Sequence, residues 1–399
     1  MLPRVKIYFD NGALQSVSPG PDGVFGIVTT GAVVANKFAL ATAYTLRSFD
    51  DLEANYGITS VNNPGIVKVV SEFYAEAGDG TEVWLMAFAP TVSMEDMVDP
   101  ELLNAKSLLI TARGRLRGLI VSRTPAEGYI PTIVAGLDDD VPAALLKGQQ
   151  LSEWATTTLY APIFILLEGK YFSGNPIDLT DLTQDTKDRV GILIGDTASE
   201  TEGATMGLLS GRLAVVPVKR NPARVKNGPV KALSIYIKDK KVEDADVTAI
   251  HDKGYITFRC FVNRTGYFFS DGFLATKTND DYRQITARRT ADKAYRIVYD
   301  TMLEELVDEI ELNADGTLPL PVAKAWEGKI ETAIGIQMTA EGDLSHNVND
   351  PKDRGVKAFI DASQNVQSTS KVIAKVRIKP FGYARFIDVY IGFTAVSTN

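Results

Sequence analysis

The alternation of apolar and polar residues is clearest near the end of the chain. In KVIAKVRIK (371–379), Val372, Ala374, Val376 and Ile378 fall on one side, and Lys375, Arg377 and Lys379 on the other. A period of two predicts a strand with one buried face. Pro380, Phe381 and Gly382 break it, and YARFIDVYIGFTAV follows. There Tyr383, Arg385, Ile387, Val389, Ile391 and Phe393 alternate with Ala384, Phe386, Asp388, Tyr390 and Gly392. This second predicted strand is largely apolar on both faces, so it needs cover on both sides. Chain ends are ordinarily polar and frayed; an end of this kind is expected to be tied to something.

The same reading runs through the rest of the chain. RVKIYF (4–9) alternates with Val5, Ile7 and Phe9 on one face, and a Gly/Pro-rich polar stretch follows to Gly23. An extended arm on a linker and an ordinary first strand both fit. FGIVTTGAVV predicts a strand, Ser48 with Asp51 a helix start, Gly57 its stop, and Asn63-Pro64 the start of a second helix. Buried strands are predicted at EVWLMAF, LRGLIVSR, PIFILLEG, RVGILIGD and LAVVPV, with helices at 100–113, 142–159 and 201–213 between them. Unbroken apolar strands between helices argue for a sheet covered on both faces. Further strands are predicted at 232–238 and 255–262, and a hairpin around YFFS between Gly266 and Gly272.

The longest predicted helix spans 286–311, with Ala291, Ala294, Tyr295, Val298, Met302, Leu306 and Ile310 as its apolar stripe. Arg288, Arg289, Lys293 and Arg296 crowd its start, and Asp300, Glu304, Glu305, Asp308, Glu309 and Glu311 its end. The helix dipole favours the reverse order by about 0.3–1 kcal/mol per exposed charge. Either a partner accounts for the layout, or pairs such as Arg296 with Asp300 soften it. LPLP (318–321) then closes a unit, KAWEGKIETAI reads as helix, IQMTAEGDL as strand, and 345–370 as a polar loop.

Composition narrows the function classes. Hydrophobic residues make up 45% of 399, enough for two or three cores and too many for general disorder. The net charge of -8 disfavours a nucleic-acid-coating role. A single cysteine, Cys260, excludes an internal disulfide and fits folding in a reducing cytoplasm. The start lacks a signal peptide's apolar core, and no run reaches membrane-span length, so no membrane insertion is expected.

Catalytic signatures are missing. His251 and His346 have no HExxH, Cys cluster or GxSxG beside them, so neither a zinc site nor a serine nucleophile is expected. GATMGLLSGR (203–212) fits neither a P-loop nor a dinucleotide fingerprint; small residues there suit close helix packing. Asp138-Asp139-Asp140 suits a solvated helix start better than a hard-cation site. The basic stretch VKRNPARVKNGPVK lacks the aromatics of a single-strand binder. No catalytic residue, cofactor or metal is assigned.

Four segments resemble the contractile tail sheath proteins of phages and related injection machines. They are FALATAYTLRSFDDLEANYG with EVWLMAF; the run from GYITFRCFVNRTGYFFSDGF through the Arg-Arg helix start; KVRIKPFGYARFIDVYIGF; and the KIYF arm. The likeness departs over residues 100–240. The resemblance implies a mixed α/β and α+β multi-domain chain. Its expected parts are an arm and linker (1–25), an α/β body (26–270), an assembly domain (271–380) and a C-terminal strand (381–399). It implies a helical homopolymer around an inner tube protein, with baseplate and tail terminator proteins as further partners. Arms carrying Val5, Ile7, Phe9, Ile387, Val389 and Ile391 would complete neighbours' sheets, and Arg288, Arg289, Lys293 and Arg296 would face the tube. Such a chain is made in the bacterial cytoplasm and assembled into a tail or injection particle. A tube, baseplate or capsid protein, or an α/β enzyme with a concealed pocket, are the rival readings.

Overall fold

The computed structural model describes residues 22–199, 202–350 and 352–391. Its core is a six-stranded sheet. The strands are β1 (Phe25–Thr30), β2 (Tyr44–Leu46), β3 (Val83–Phe88), β4 (Gly118–Val121), β5 (Phe164–Glu168) and β6 (Val190–Leu193), in the spatial order β2-β3-β1-β4-β5-β6. All pair in parallel except β2, which runs antiparallel to β3. The registers place Phe25 beside Val83 on one flank and beside Gly118 on the other. Every residue of β1, β4, β5 and β6 is buried. That is why these runs lack alternation: parallel strands between two helix layers have no wet face.

The covering helices are α1 (Asp51–Tyr56), α2 (Pro64–Ala77), α3 (Asn104–Ala112), α4 (Asp140–Thr158) and α5 (Met206–Val215). Gly57 ends α1 in the left-handed conformation at φ 64°, and Pro64 opens α2. The glycines of α5 bring it against α2. A Cβ at Gly207 would lie 2.1 Å from the Val69 carbonyl oxygen, and one at Gly211 2.4 Å from that of Phe73. The Gly-rich stretch is a packing surface, as its small residues suggested.

Several elements differ from the sequence reading. LAVVPV is the end of α5 and a turn, not a strand. The hairpin of β7 (Phe258–Phe261) and β8 (Arg264–Phe269) turns before YFFS, at Val262-Asn263, so Tyr267–Phe269 lie within its second strand. Over 232–238 only Tyr236–Ile237 pair, with Lys240–Lys241. The long helix, α6, spans Ile285–Leu303, so of the expected acidic end only Asp300 is helical, and Glu304–Val307 form turns.

The chain divides into two compact units after Leu312, so α6 belongs to the first unit and not to a domain beginning at 271. It is ion-paired with residues of the first unit. In the second unit, α7 (Leu320–Ile334) begins at the LPLP proline turn, where Pro321 sits in the first turn and its missing N–H costs nothing. A π-helical turn, Gly335–Thr339, continues it where a strand was expected. Then β9 (Val356–Ile360), inside the expected polar loop, pairs antiparallel with β10 (Ala374–Ile378).

Candidate subunit interface

The charges of α6 point into the first unit. Arg288 and Arg289 are buried, and Lys293 nearly so. Arg288 pairs with Asp188 at 2.7 Å, and Arg189 with Asp292 at 3.2 Å. Lys293 and Arg296 both reach Asp22, at 2.6 and 3.8 Å. Arg289 donates to the Leu213 and Val216 carbonyls at 2.9 and 3.2 Å. Burial pushes the Asp292 carboxyl up despite the neighbouring guanidiniums. In the single chain these four basic residues, expected to face a tube, are engaged with groups of the first unit. Of the predicted apolar stripe, Ala294 is buried and Ala291, Tyr295, Val298 and Met302 are half-buried.

A second charged group lies beyond the C-terminal ends of the parallel strands, where open α/β sheets place ligands. Lys68 and Glu72 of α2 meet Arg123, Glu168, Lys170 and Asp196 around a hollow of about 330 Å³. Lys68 bridges Asp196 at 2.5 Å and Glu72 at 3.3 Å, and Arg123 bridges Asp140 at 2.9 Å. Glu168 accepts the Arg123 and Ala204 N–H groups at 2.8 and 3.0 Å. Burial pushes the Glu72 carboxyl up. Asp140 also accepts the N–H groups of Met94 and Glu95 and so anchors the short helix Met94–Val98; Asp138 and Asp140 are buried, not solvated as expected. Among the described residues no group of three or more His, Cys, Asp or Glu is placed to hold a metal ion. No described helix is long and apolar enough to cross a membrane.

The second unit offers a different arrangement. Its two-stranded sheet has an inner face, where Ala358 and Ile360 are buried and Val376 and Ile378 half-buried. Lys357, Phe359, Lys375 and Arg377 stand exposed on the outer face. α7 packs on β9. The Ala358 and Ile360 N–H groups, pointing away from β10, donate to Glu331 and Glu327 of α7 at 3.0 and 2.8 Å. Burial pushes the Glu327 carboxyl up, but Lys324 and the Ile360 N–H outweigh it and hold it below its ordinary value. Asp353 anchors the approach to β9, accepting from the Asn347 and Gly355 N–H groups at 2.8 and 2.9 Å.

After β10 the chain forms no further regular structure up to Ile391. Ile387, Val389 and Ile391 are 76, 74 and 94% exposed, and Phe386 and Tyr390 89 and 95%. Among the described residues, 381–391 pair with no strand, where the sequence predicted one. Val5, Ile7 and Phe9, like residues beyond Ile391, lie outside the described residues. Glu327 and Glu331 were not singled out from the sequence, though their spacing of four sets them on one face of α7.

This architecture is the fold of contractile sheath proteins. The contracted helical sheath of the anti-feeding prophage aligns with a TM-score of 0.64 at 16% identity, covering 98% of this chain and 99% of that one. The contracted sheath complex of the PVC extracellular contractile injection system aligns at 0.61 and 16% identity, covering 98% and 97%. The sheath tail protein Lin1278 of Listeria innocua aligns at 0.53 and 9% identity, covering 92% and 94%. By sequence the chain belongs to the DUF2586 family: the model of its N-terminal domain matches residues 2–273 and that of its C-terminal domain residues 281–398. Helix α6 thus falls in the second family domain but packs with the first compact unit. Sequence comparison with the curated proteins found no match.

Proposed function

We propose that the chain is the structural subunit of a contractile sheath. Copies polymerise helically around an inner tube, and their rearrangement drives the tube through a target envelope. The observation that carries this reading is the exposed apolar segment Phe386–Ile391, following a sheet that has two strands among the described residues. The sheath fold supports it.

The energetics favour apolar arms. Each backbone hydrogen bond of an added strand contributes a net ~0.5–1.5 kcal/mol, while ordering each residue costs ~1–2 kcal/mol. These roughly cancel. Burying Ile387, Val389 and Ile391 adds ~1.5–3 kcal/mol per side chain, which makes the addition favourable. A donor segment at one place and a receiving sheet at another make a head-to-tail contact that propagates as an open helix. The N-terminal segment with Val5, Ile7 and Phe9 would serve as a second arm. On this reading the partners are further copies of the chain, an inner tube protein, and baseplate and terminator proteins at the two ends. The place of action is a phage tail or injection particle assembled after synthesis in the bacterial cytoplasm.

Negative-stain microscopy of the concentrated, purified chain tests the proposal. Hollow tubes or helical filaments are expected. A monodisperse monomer that forms no polymer, alone or in lysate containing its neighbouring structural proteins, would overturn it.

A further inference from the structure

Ionised side chains lose hydration when they are buried, and the attraction within a buried pair offsets that loss only in part. Around the hollow beyond the parallel strands, one such pair has the geometry to react. Lys68 Nζ of α2 lies 2.5 Å from Asp196 Oδ1, just past the end of β6, and 3.3 Å from Glu72 Oε1. Asp196 is 4% exposed and Glu72 8%. The Thr197 hydroxyl lies 3.0 Å from Glu72 and 3.4 Å from Asp196, so the two carboxyls flank one ammonium. Glu72 Oε2 is buried and takes no hydrogen bond from the described residues.

A lysine amine is a nucleophile once it has lost its proton, and a neighbouring acid can then protonate the departing oxygen. Burial disfavours the charge on Lys68, but Glu72 and Asp196 outweigh it and hold its pKa above the ordinary value, so the proton needs an acceptor at hand. Glu72 is that acceptor: burial pushes its carboxyl up, against the pull of Lys68. Beside the Lys293–Asp22 pair the third group is Arg296, a cation that cannot take the proton. A chain with one cysteine has no internal disulfide, whereas an amide cross-link needs no oxidant.

We propose that Lys68 and Asp196 join in an intramolecular isopeptide bond, with Glu72 as the catalytic base and acid. Glu72 takes a proton from the Lys68 ammonium. The Nζ lone pair attacks Asp196 Cγ and the N–C bond forms. Glu72 delivers its proton, and then a second one taken from the nitrogen, to one Asp196 oxygen. The Cγ–O bond breaks, water leaves through the hollow, and Glu72 returns to its starting state. An ammonium and a carboxylate become a neutral amide and one water, which removes the buried ion pair. The product ties α2 to the end of β6 across 128 positions of the chain. Only groups of the first unit take part, so the bond does not depend on assembly.

Mass spectrometry of the full-length chain, purified and held at neutral pH, tests this. The intact mass is expected to fall one water short of the sequence mass, and a tryptic digest to contain a branched peptide holding both Lys68 and Asp196. Lys68→Arg is expected to restore the full mass. Glu72→Gln is expected to leave most of the chain without the link while its circular dichroism spectrum stays that of the native fold. An intact chain of full sequence mass overturns the proposal, whatever the variants do. A missing water that persists in Lys68→Arg marks a cyclised aspartate and overturns it too. A link mapped from Lys68 to Glu72 overturns the assignment of Asp196, and Glu72→Gln chains linked as fully as the native chain overturn the catalytic role of Glu72.

Discussion

At the scale of single residues, Asp292 shows where the basic run of α6 spends its charge. It lies 3% exposed between Arg189 and Arg288, at 3.2 and 3.7 Å. Asp292→Ala would leave two buried guanidiniums facing one another, and breaking a buried pair from one side costs about 3–5 kcal/mol. Urea denaturation should show a loss of that order. Glu304→Ala, in the exposed turn after α6, should stay within ~0.5 kcal/mol. The sequence could not reveal this. Charged side chains are seldom buried, so Arg288, Arg289, Lys293 and Arg296 resembled a contact surface. Their partners Asp188 and Asp22 stand 100 or more positions away, beyond any local signal. The apparent conflict with the helix dipole is also smaller than it looked, since Glu304 to Glu311 lie outside the helix and only Asp300 remains in its last turn.

At the scale of elements, glycines decide how closely helices approach. At Gly207 an added Cβ would meet a backbone carbonyl that cannot step aside, so Gly207→Leu is expected to drive α5 off α2 and abolish the cooperative melt by circular dichroism. Gly328, inside α7, has nothing within 4 Å of its Cβ position. Gly328→Ala should therefore stabilise the chain by roughly 0.5–1 kcal/mol, because helical glycine carries an entropic cost without a compensating contact. The five parallel strands were legible as short apolar runs because both faces are dry. VKAFI was not. Its alternation of Val356, Ala358 and Ile360 is brief and embedded in polar sequence, and Phe359 on the wet face blurs it. LAVVPV misled in the opposite way, because a helix buried on most sides is as apolar as a strand.

At the scale of the whole molecule, an exposed apolar segment marks a surface meant to be covered. The exposed apolar segment could be read from the sequence, since YARFIDVYI is apolar on both faces. The contact of α7 with β9 could not, because it depends on where α7 places Glu327 and Glu331 relative to the Ile360 and Ala358 N–H groups. The central claim is that copies polymerise by lending this segment to one another. Sedimentation velocity comparing the intact chain with a chain ending at Gly382 tests it most directly. The account predicts fast-sedimenting polymer for the first, and for the second a folded monomer with an unchanged circular dichroism melt. Polymer of the same size from both chains would contradict it.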